Sequence, residues 1–236
     1  MRRGHATGFT LVELLVALSV MALMSVLSWR GLDGMWRVQS QTRERSDELM
    51  ALQTGLAQWS ADLDALANLP VAPGASTEAP RTLDWNGQVL RMTRYSAAPA
   101  PTGWRVVAWS RREQVGAGHW LRWQSGVLRT QGEWQTAWAQ AGRWAQSPGD
   151  EERRNEVLIT PLSRWQIYYY RDNSWSHPLS SATAPTGTAG GNPATAAPGS
   201  ALPDAVRLVL TLPPGTPVVG ELTRDWLRPT LAGNKS

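Results

Sequence analysis

Two hydrophobic patterns divide the first third of the chain. Phe9 to Trp29 reads FTLVELLVALSVMALMSVLSW, 21 residues that are apolar on every side and carry one charge, Glu13. At ~1.5 Å per residue such a helix spans roughly 30 Å, the thickness of a bilayer core. A helix apolar all round is not an ordinary surface helix. After Trp29 the apolar positions become one-sided. Leu49, Leu52, Leu56, Trp59, Leu63 and Leu66 recur at spacings of three and four, the stripe of an amphipathic helix. Packing on the chain's own sheet is the plainer use of that stripe, and a partner helix is the other. Arg43, Glu44, Arg45, Asp47 and Glu48 form a mixed-sign run that reads as a solvated face. Gly31, Gly34 and Gly55 weaken the helix locally and permit bending. Pro70 and the following VAPGASTEAP stretch end it. The expectation is one helix over Phe9–Leu69, with a transmembrane half at 9–29 and an amphipathic half at 30–69.

From Leu83 onward the pattern turns to strands within a β-rich domain at 70–236. Runs rich in aromatic and β-branched residues predict strands at Val89–Tyr95, Trp104–Arg111, Trp120–Gln124, Val127–Gln131, Val157–Ile159, Trp165–Tyr170, Val206–Leu212 and Val218–Arg224. Ser125-Gly126, between two of these runs, predicts a tight hairpin. Asp172 and Asn173 predict a turn before Trp175. Ser180 to Ala201 holds only Ala, Gly, Pro, Ser and Thr apart from Asn192, which predicts a flexible loop at 180–201.

Composition narrows the class. The 236 residues hold 14 Trp and 1 Phe, so the core is expected to be built on indoles. Net charge is +4, and Arg2 and Arg3 supply two of those charges. Without the first eight residues, 21 Lys and Arg face 19 Asp and Glu, which leaves +2. That balance, with no Lys/Arg-rich run, argues against a nucleic-acid partner. Cysteine is absent, which excludes disulfides, cysteine-zinc sites and thiol catalysis.

Candidate chemistry is sparse. His5, His119 and His177 lie far apart in sequence, and no HExxH, GxSxG or phosphate-loop pattern occurs. The reading is therefore not an enzyme, with no cofactor and no metal. The acidic run Asp150, Glu151 and Glu152 could supply oxygens to calcium, but its spacing does not match an EF-hand and a solvated turn is preferred. Trp104, Trp109, Trp120, Trp123, Trp134, Trp138 and Trp144 are dense enough for a sugar-binding platform. Most are expected in the core, because large rings bury well and need one N–H partner. Trp120 and Leu121 alternate faces of a strand, so some indoles are expected outside, at a protein interface.

The N-terminus is the most specific feature. MRRGHATG is basic, polar and ends in glycine, and Arg2 and Arg3 keep it on the cytoplasmic side of the following span. The apolar run exceeds the ~7–15 residues of an ordinary signal-peptide core. Glu13 near a membrane span costs about 2.5–3.5 kcal/mol on insertion scales. Two explanations stand: an interfacial side chain reaching water, or a carboxylate with a cationic partner. A cut between Gly8 and Phe9 would create an ammonium at Phe9, four residues from Glu13 on one helix face; a neighbouring copy's ammonium would serve equally. GFTLVELLVAL resembles the processing motif of type IV prepilins over about a dozen residues, without departure. The resemblance implies that a prepilin peptidase cleaves after Gly8 and that Phe9 becomes N-methylated. It also implies that Glu13, fifth in the mature chain, guides assembly into a fibre.

Within that class, the layout is similar to the minor pseudopilin J family of the type II secretion system. The supporting segments are RGLDGMWR, LQTGLAQWSADLDAL, WLRWQSGVLRTQ and LPDAVRLVLTL. The resemblance implies an α+β fold, a long N-terminal pilin-type helix packed on a C-terminal domain of two antiparallel β-sheets. It implies a single-pass inner-membrane protein with its domain in the periplasm. Its implied partners are the I-like and K-like minor pseudopilins and the major pseudopilin at a pseudopilus tip. The long Ala/Pro/Gly insertion departs from a compact family pattern. A minor pilin of a type IV pilus or DNA-uptake system is the alternative, and a signal-anchored periplasmic binding protein or enzyme is the reading from another class.

Overall fold

The computed structural model describes residues 10–67, 80–96, 103–114, 116–181 and 202–229. The chain divides into two compact units, Met1–Asp47 and Glu48–Ser236. Helix α1, Leu11–Asp64, belongs to the first unit up to Asp47 and to the second from Glu48.

In the first unit α1 is exposed along its whole described length. Its apolar stretch is long enough, by length and composition, to cross a membrane. In the second unit, Leu52, Gly55, Trp59, Asp62 and Leu63 of α1 are buried. The helix stops five residues short of the expected Leu69. From Ala65 the chain runs beside a strand instead: Ala67 N–H donates to the Thr93 carbonyl at 2.9 Å and Tyr95 N–H to the Ala65 carbonyl at 2.9 Å. Leu66 thereby forms a β-bridge with Arg94. Pro70 and most of VAPGASTEAP lie outside the described residues.

Two antiparallel sheets follow. The first has strands β1 (Leu83–Trp85), β2 (Val89–Tyr95), β3 (Trp104–Gln114), β4 (Ala117–Gln124) and β5 (Glu156–Pro161), in that spatial order. The second places β7 (Ser174–Ser176), β6 (Arg164–Arg171), β8 (Ala205–Leu212) and β9 (Gly220–Leu227) side by side. Asp172 and Asn173, with φ of 48° and 62°, make the two-residue turn between β6 and β7, where Asn and Asp tolerate the left-handed region. All but the beginning of the expected 180–201 loop lies outside the described residues.

Between β4 and β5 the sequence expectation fails. No strand forms over Val127–Gln131, and Ser125-Gly126 closes no hairpin. Leu128 makes one isolated bridge with Trp104, and helix α2 then spans Gln131–Gln146. Thr130 caps α2 by accepting from Glu133 N–H at 3.2 Å, while Glu133 Oε2 accepts from Thr130 N–H at 3.3 Å. The Arg129 and Thr130 N–H groups hold the Glu133 carboxyl below its ordinary pKa. Trp134, Ala137, Trp138, Ala141, Trp144 and Ala145 form one buried face at helical spacing. A short helix α3, Asp150–Arg154, takes the acidic run in its first turn, and α4 covers Pro178–Ser181.

Alternation along β2, β3 and β4 then builds two cores, one on each face of the first sheet. Leu90, Met92, Val107, Trp109 and Trp120 point toward α1 and the second sheet, meeting Trp59, Trp165, Ile167 and Leu208. Val89, Val106, Ala108, Leu121 and Trp123 point the other way, against the Trp-rich face of α2. The expectation that alternation must leave some of these indoles outside is therefore corrected. Trp120 and Trp123 face opposite cores and both are buried.

Candidate functional site

The two ends of α1 carry the residues with the strongest chemical demands. At the N-terminal end, the Thr10 carbonyl accepts from the N–H groups of Glu13 and Leu14 at 3.1 and 3.3 Å. Thr10 Oγ1 also accepts from Glu13 N–H at 3.3 Å. Thr10 thus caps the helix and Glu13 sits in its first turn, where the unpaired N–H groups favour a carboxylate. Thr-x-x-Glu is a helix-start spacing that membrane cost alone does not bring out. Glu13 is exposed, amid a run of exposed apolar side chains from Leu11 onward. Gly8 and Phe9 lie outside the described residues.

At the other end, Asp62 is completely buried. Five donors meet its carboxylate. Arg122 Nε donates to Oδ2 at 2.7 Å and Arg122 Nη2 to Oδ1 at 2.9 Å. Arg94 Nη1 donates to Oδ1 at 2.5 Å, Gln58 Nε2 to Oδ1 at 2.9 Å and Trp109 Nε1 to Oδ2 at 3.0 Å. Those donors come from α1 itself and from β2, β3 and β4, all on the sheet face that meets the helix. A carboxylate with this many donors is fully used as a structural acceptor. Two turns earlier, a Cβ at Gly55 would collide with Ile159 Cγ2 and stand 3.1 Å from Trp120 Cζ3. Gly55 therefore serves close approach of α1 to β4 and β5 rather than bending. Beyond Asp62, Trp226 Nε1 of β9 donates to Asp64 Oδ1 at 2.8 Å, joining α1 to the second sheet.

The indoles form no sugar platform. Of the seven considered, Trp109, Trp120, Trp123, Trp134, Trp138 and Trp144 are buried and Trp104 is partly so. Trp134 Nε1 donates to Thr93 Oγ1 at 2.9 Å, and Trp144 Nε1 to Glu156 Oε2 at 2.7 Å. His119 lies on β4 and His177 follows β7; no group of three His, Cys, Asp or Glu able to hold a metal occurs among the described residues. Glu152, from the acidic run, accepts from Gly149 N–H at 3.0 Å, a local cap. On the second sheet, Arg207 stacks 4.2 Å from the Trp175 ring and donates to Asp225 at 2.7 Å through both nitrogens. That hydrogen-bonded pair holds the Asp225 carboxyl below its ordinary pKa. Tyr169, deep in the core between the sheets, has its phenol pushed well above the ordinary value by burial, with the Asp84 charge adding.

Residues 3–29 match the family model of the prokaryotic N-terminal methylation motif. Type II secretion system protein J of Vibrio cholerae is 23% identical over 225 residues, 95% of this chain and 88% of that protein. Type II secretion system protein J of Klebsiella pneumoniae is 38% identical over 62 residues, 26% of this chain and 31% of that protein. Among solved structures, a chain of the GspK–GspI–GspJ complex from the type 2 secretion system of enterotoxigenic Escherichia coli aligns with a TM-score of 0.41. That alignment has 15% identity and covers 76% of this chain and 96% of that one.

Proposed function

We propose that this chain is a minor pseudopilin of the J type, a structural subunit of the type II secretion pseudopilus tip that supports protein export across the outer membrane. Similarity to a type II secretion system protein J along 95% of the chain carries the reading. The methylation motif at residues 3–29 supports the prepilin-type N-terminus that this reading requires. In this reading prepilin peptidase removes the leader after Gly8 and Phe9 is N-methylated. The apolar part of α1 holds the protein in the inner membrane as a single pass, with the β-rich domain in the periplasm. Glu13 then pairs with an N-terminal ammonium, its own or a neighbour's, and so guides the subunit into the fibre. The role is assembly rather than catalysis: the buried indoles and the saturated Asp62 carboxylate support a rigid body presented to I-like and K-like minor pseudopilins and to the major pseudopilin.

Mass spectrometry of membrane-extracted protein, with the peptidase present, tests processing. The expected N-terminal peptide begins at N-methylated Phe9, and an intact Met1 overturns it. Deleting the gene tests the system: lost secretion with normal piliation is expected, and the reverse places the chain in a type IV pilus.

A further inference from the structure

Past Trp29 the helix keeps an apolar arc instead of turning polar at once. At 100° per residue, Trp29, Leu32, Met35, Trp36 and Val38 fall within one half of the α1 circumference. All five are exposed, Trp29 at 74% and Trp36 at 67%. Arg30, Asp33 and Arg37 share a narrow stripe on the other side, where Arg37 Nη2 meets Asp33 Oδ2 at 2.5 Å. The two indoles, seven residues apart, edge the apolar arc, and the two guanidiniums, also seven apart, stand about 100° round the helix from them. An apolar arc bordered by indoles thus faces away from a charged stripe, the pattern of an interfacial helix. Indole rings settle at headgroup depth because one end is apolar and the N–H is polar. Arginine reaches phosphate from the same depth along its aliphatic stem. The arc is also continuous with the apolar stretch that begins at Leu11, so the same bilayer lies next to it.

We infer that Trp29–Val38 is a second membrane-contacting element, two to three turns of α1 held in the phospholipid headgroup layer, with Trp29 and Trp36 as anchors and Arg30 and Arg37 on lipid phosphate. This rests on the single-pass membrane reading and extends membrane contact beyond the 9–29 span. Gly31 and Gly34 have nothing within 4 Å of an added Cβ, and a helix bends most easily at such positions.

The chain has no cysteine, so single cysteines can be labelled with an environment-sensitive fluorophore in the full-length protein. The variants are Leu18→Cys, Leu32→Cys, Met35→Cys and Ser46→Cys, each reconstituted in phosphatidylethanolamine–phosphatidylglycerol vesicles. Quenching is compared for nitroxide lipids labelled in the acyl chain, nitroxide lipids labelled at the headgroup, and aqueous iodide. The expected order is acyl-chain quenching for position 18, headgroup quenching for 32 and 35, and iodide quenching for 46. Adding Trp29→Ala and Trp36→Ala should raise iodide quenching at position 35 by about two- to fivefold, whereas Trp→Tyr at both sites should leave it unchanged, because tyrosine shares the interfacial preference. If positions 32 and 35 are quenched by iodide as strongly as 46 while 18 stays in the bilayer, the inference is overturned and the single-pass reading survives. If they are shielded from both headgroup nitroxide and iodide, a protein partner covers the arc and the inference is again overturned. Iodide quenching at position 18 removes the membrane reading and this inference together.

Discussion

Asp62 of α1 and Arg122 of β4 meet as a two-pronged pair, Nε to Oδ2 at 2.7 Å and Nη2 to Oδ1 at 2.9 Å, at the centre of the buried helix–sheet contact. Planar guanidinium and carboxylate groups match in this geometry, and Arg94, Gln58 and Trp109 donate to the remaining acceptor positions.

Asp62→Ala should therefore be the most damaging polar substitution in the domain. It leaves Arg94 and Arg122 with buried charge and no carboxylate, a loss of about 3–5 kcal/mol. Asp62→Asn keeps the shape and two lone pairs but not the charge, so its loss should be smaller. Urea unfolding of a fragment from Asp33 onward, followed by Trp fluorescence, measures both. The fragment itself should fold without a membrane, because α1 and the two sheets enclose a common core within it.

Gly55→Ala tests the close approach. On an isolated helix the change would stabilise by about 1 kcal/mol. Here the new methyl meets the β-branched Ile159 with Trp120 behind it, and overpacking of that kind costs about 1–3 kcal/mol. The expected result is a net loss in the same unfolding assay, and a gain would show that Ile159 moves aside freely.

Tyr169→Phe should be neutral or stabilising at neutral pH. The buried hydroxyl has no hydrogen-bond partner among the described residues, so its removal relieves an unsatisfied group. The phenol's pKa is raised in the folded state above the ordinary 10.0. Its contribution is therefore fully present below about pH 10 and is lost as pH rises further, because only the unfolded chain releases the proton. Stability measured from pH 9 to 11 should fall more steeply in the parent than in the Phe variant, by up to about 1.4 kcal/mol per pH unit. Equal slopes would mean that the phenol reaches water.

Glu13→Ala should leave membrane insertion intact or improved, since a costly charge is removed. Incorporation into the pseudopilus should fall. Crosslinking yield to the major pseudopilin, beside carbonate-resistant membrane recovery, separates the two effects. Normal crosslinking would reduce Glu13 to an interfacial, helix-starting residue beside Thr10.

What the sequence makes legible follows distance along the chain. The apolar run from Phe9 and the Leu49–Leu66 stripe are local periodicities, and Leu52, Trp59 and Leu63 are buried as the stripe requires. Val89–Tyr95 forms its strand at the expected bounds, with Val89, Thr93 and Tyr95 on one pleat and the unbranched Leu90 and Met92 buried on the other. Helix α2 is hidden by its own indoles, which favour strands by composition, although Thr130-x-x-Glu133 and the 134, 137, 138, 141 spacing both mark a helix. The Asp62 cluster is invisible from local pattern. Its partners Arg94, Trp109 and Arg122 lie 32, 47 and 60 residues away, and nothing near Asp62 singles it out from the solvated acids before it.

The placement of Arg94, Trp109 and Arg122 on one sheet face gives the domain a means of rejecting wrong pairings. A one-residue slip of β4 would turn Arg122 into the Trp-lined contact with α2 and swing Leu121 or Trp123 toward the Asp62 carboxylate. Each misplacement strands a charge in an apolar layer, once on either side of the sheet. A chain built on so many interchangeable indoles has many nearly equal ways to collapse. The buried Asp62 near the end of α1 separates them, since only one alignment of three strands brings both arginines to it.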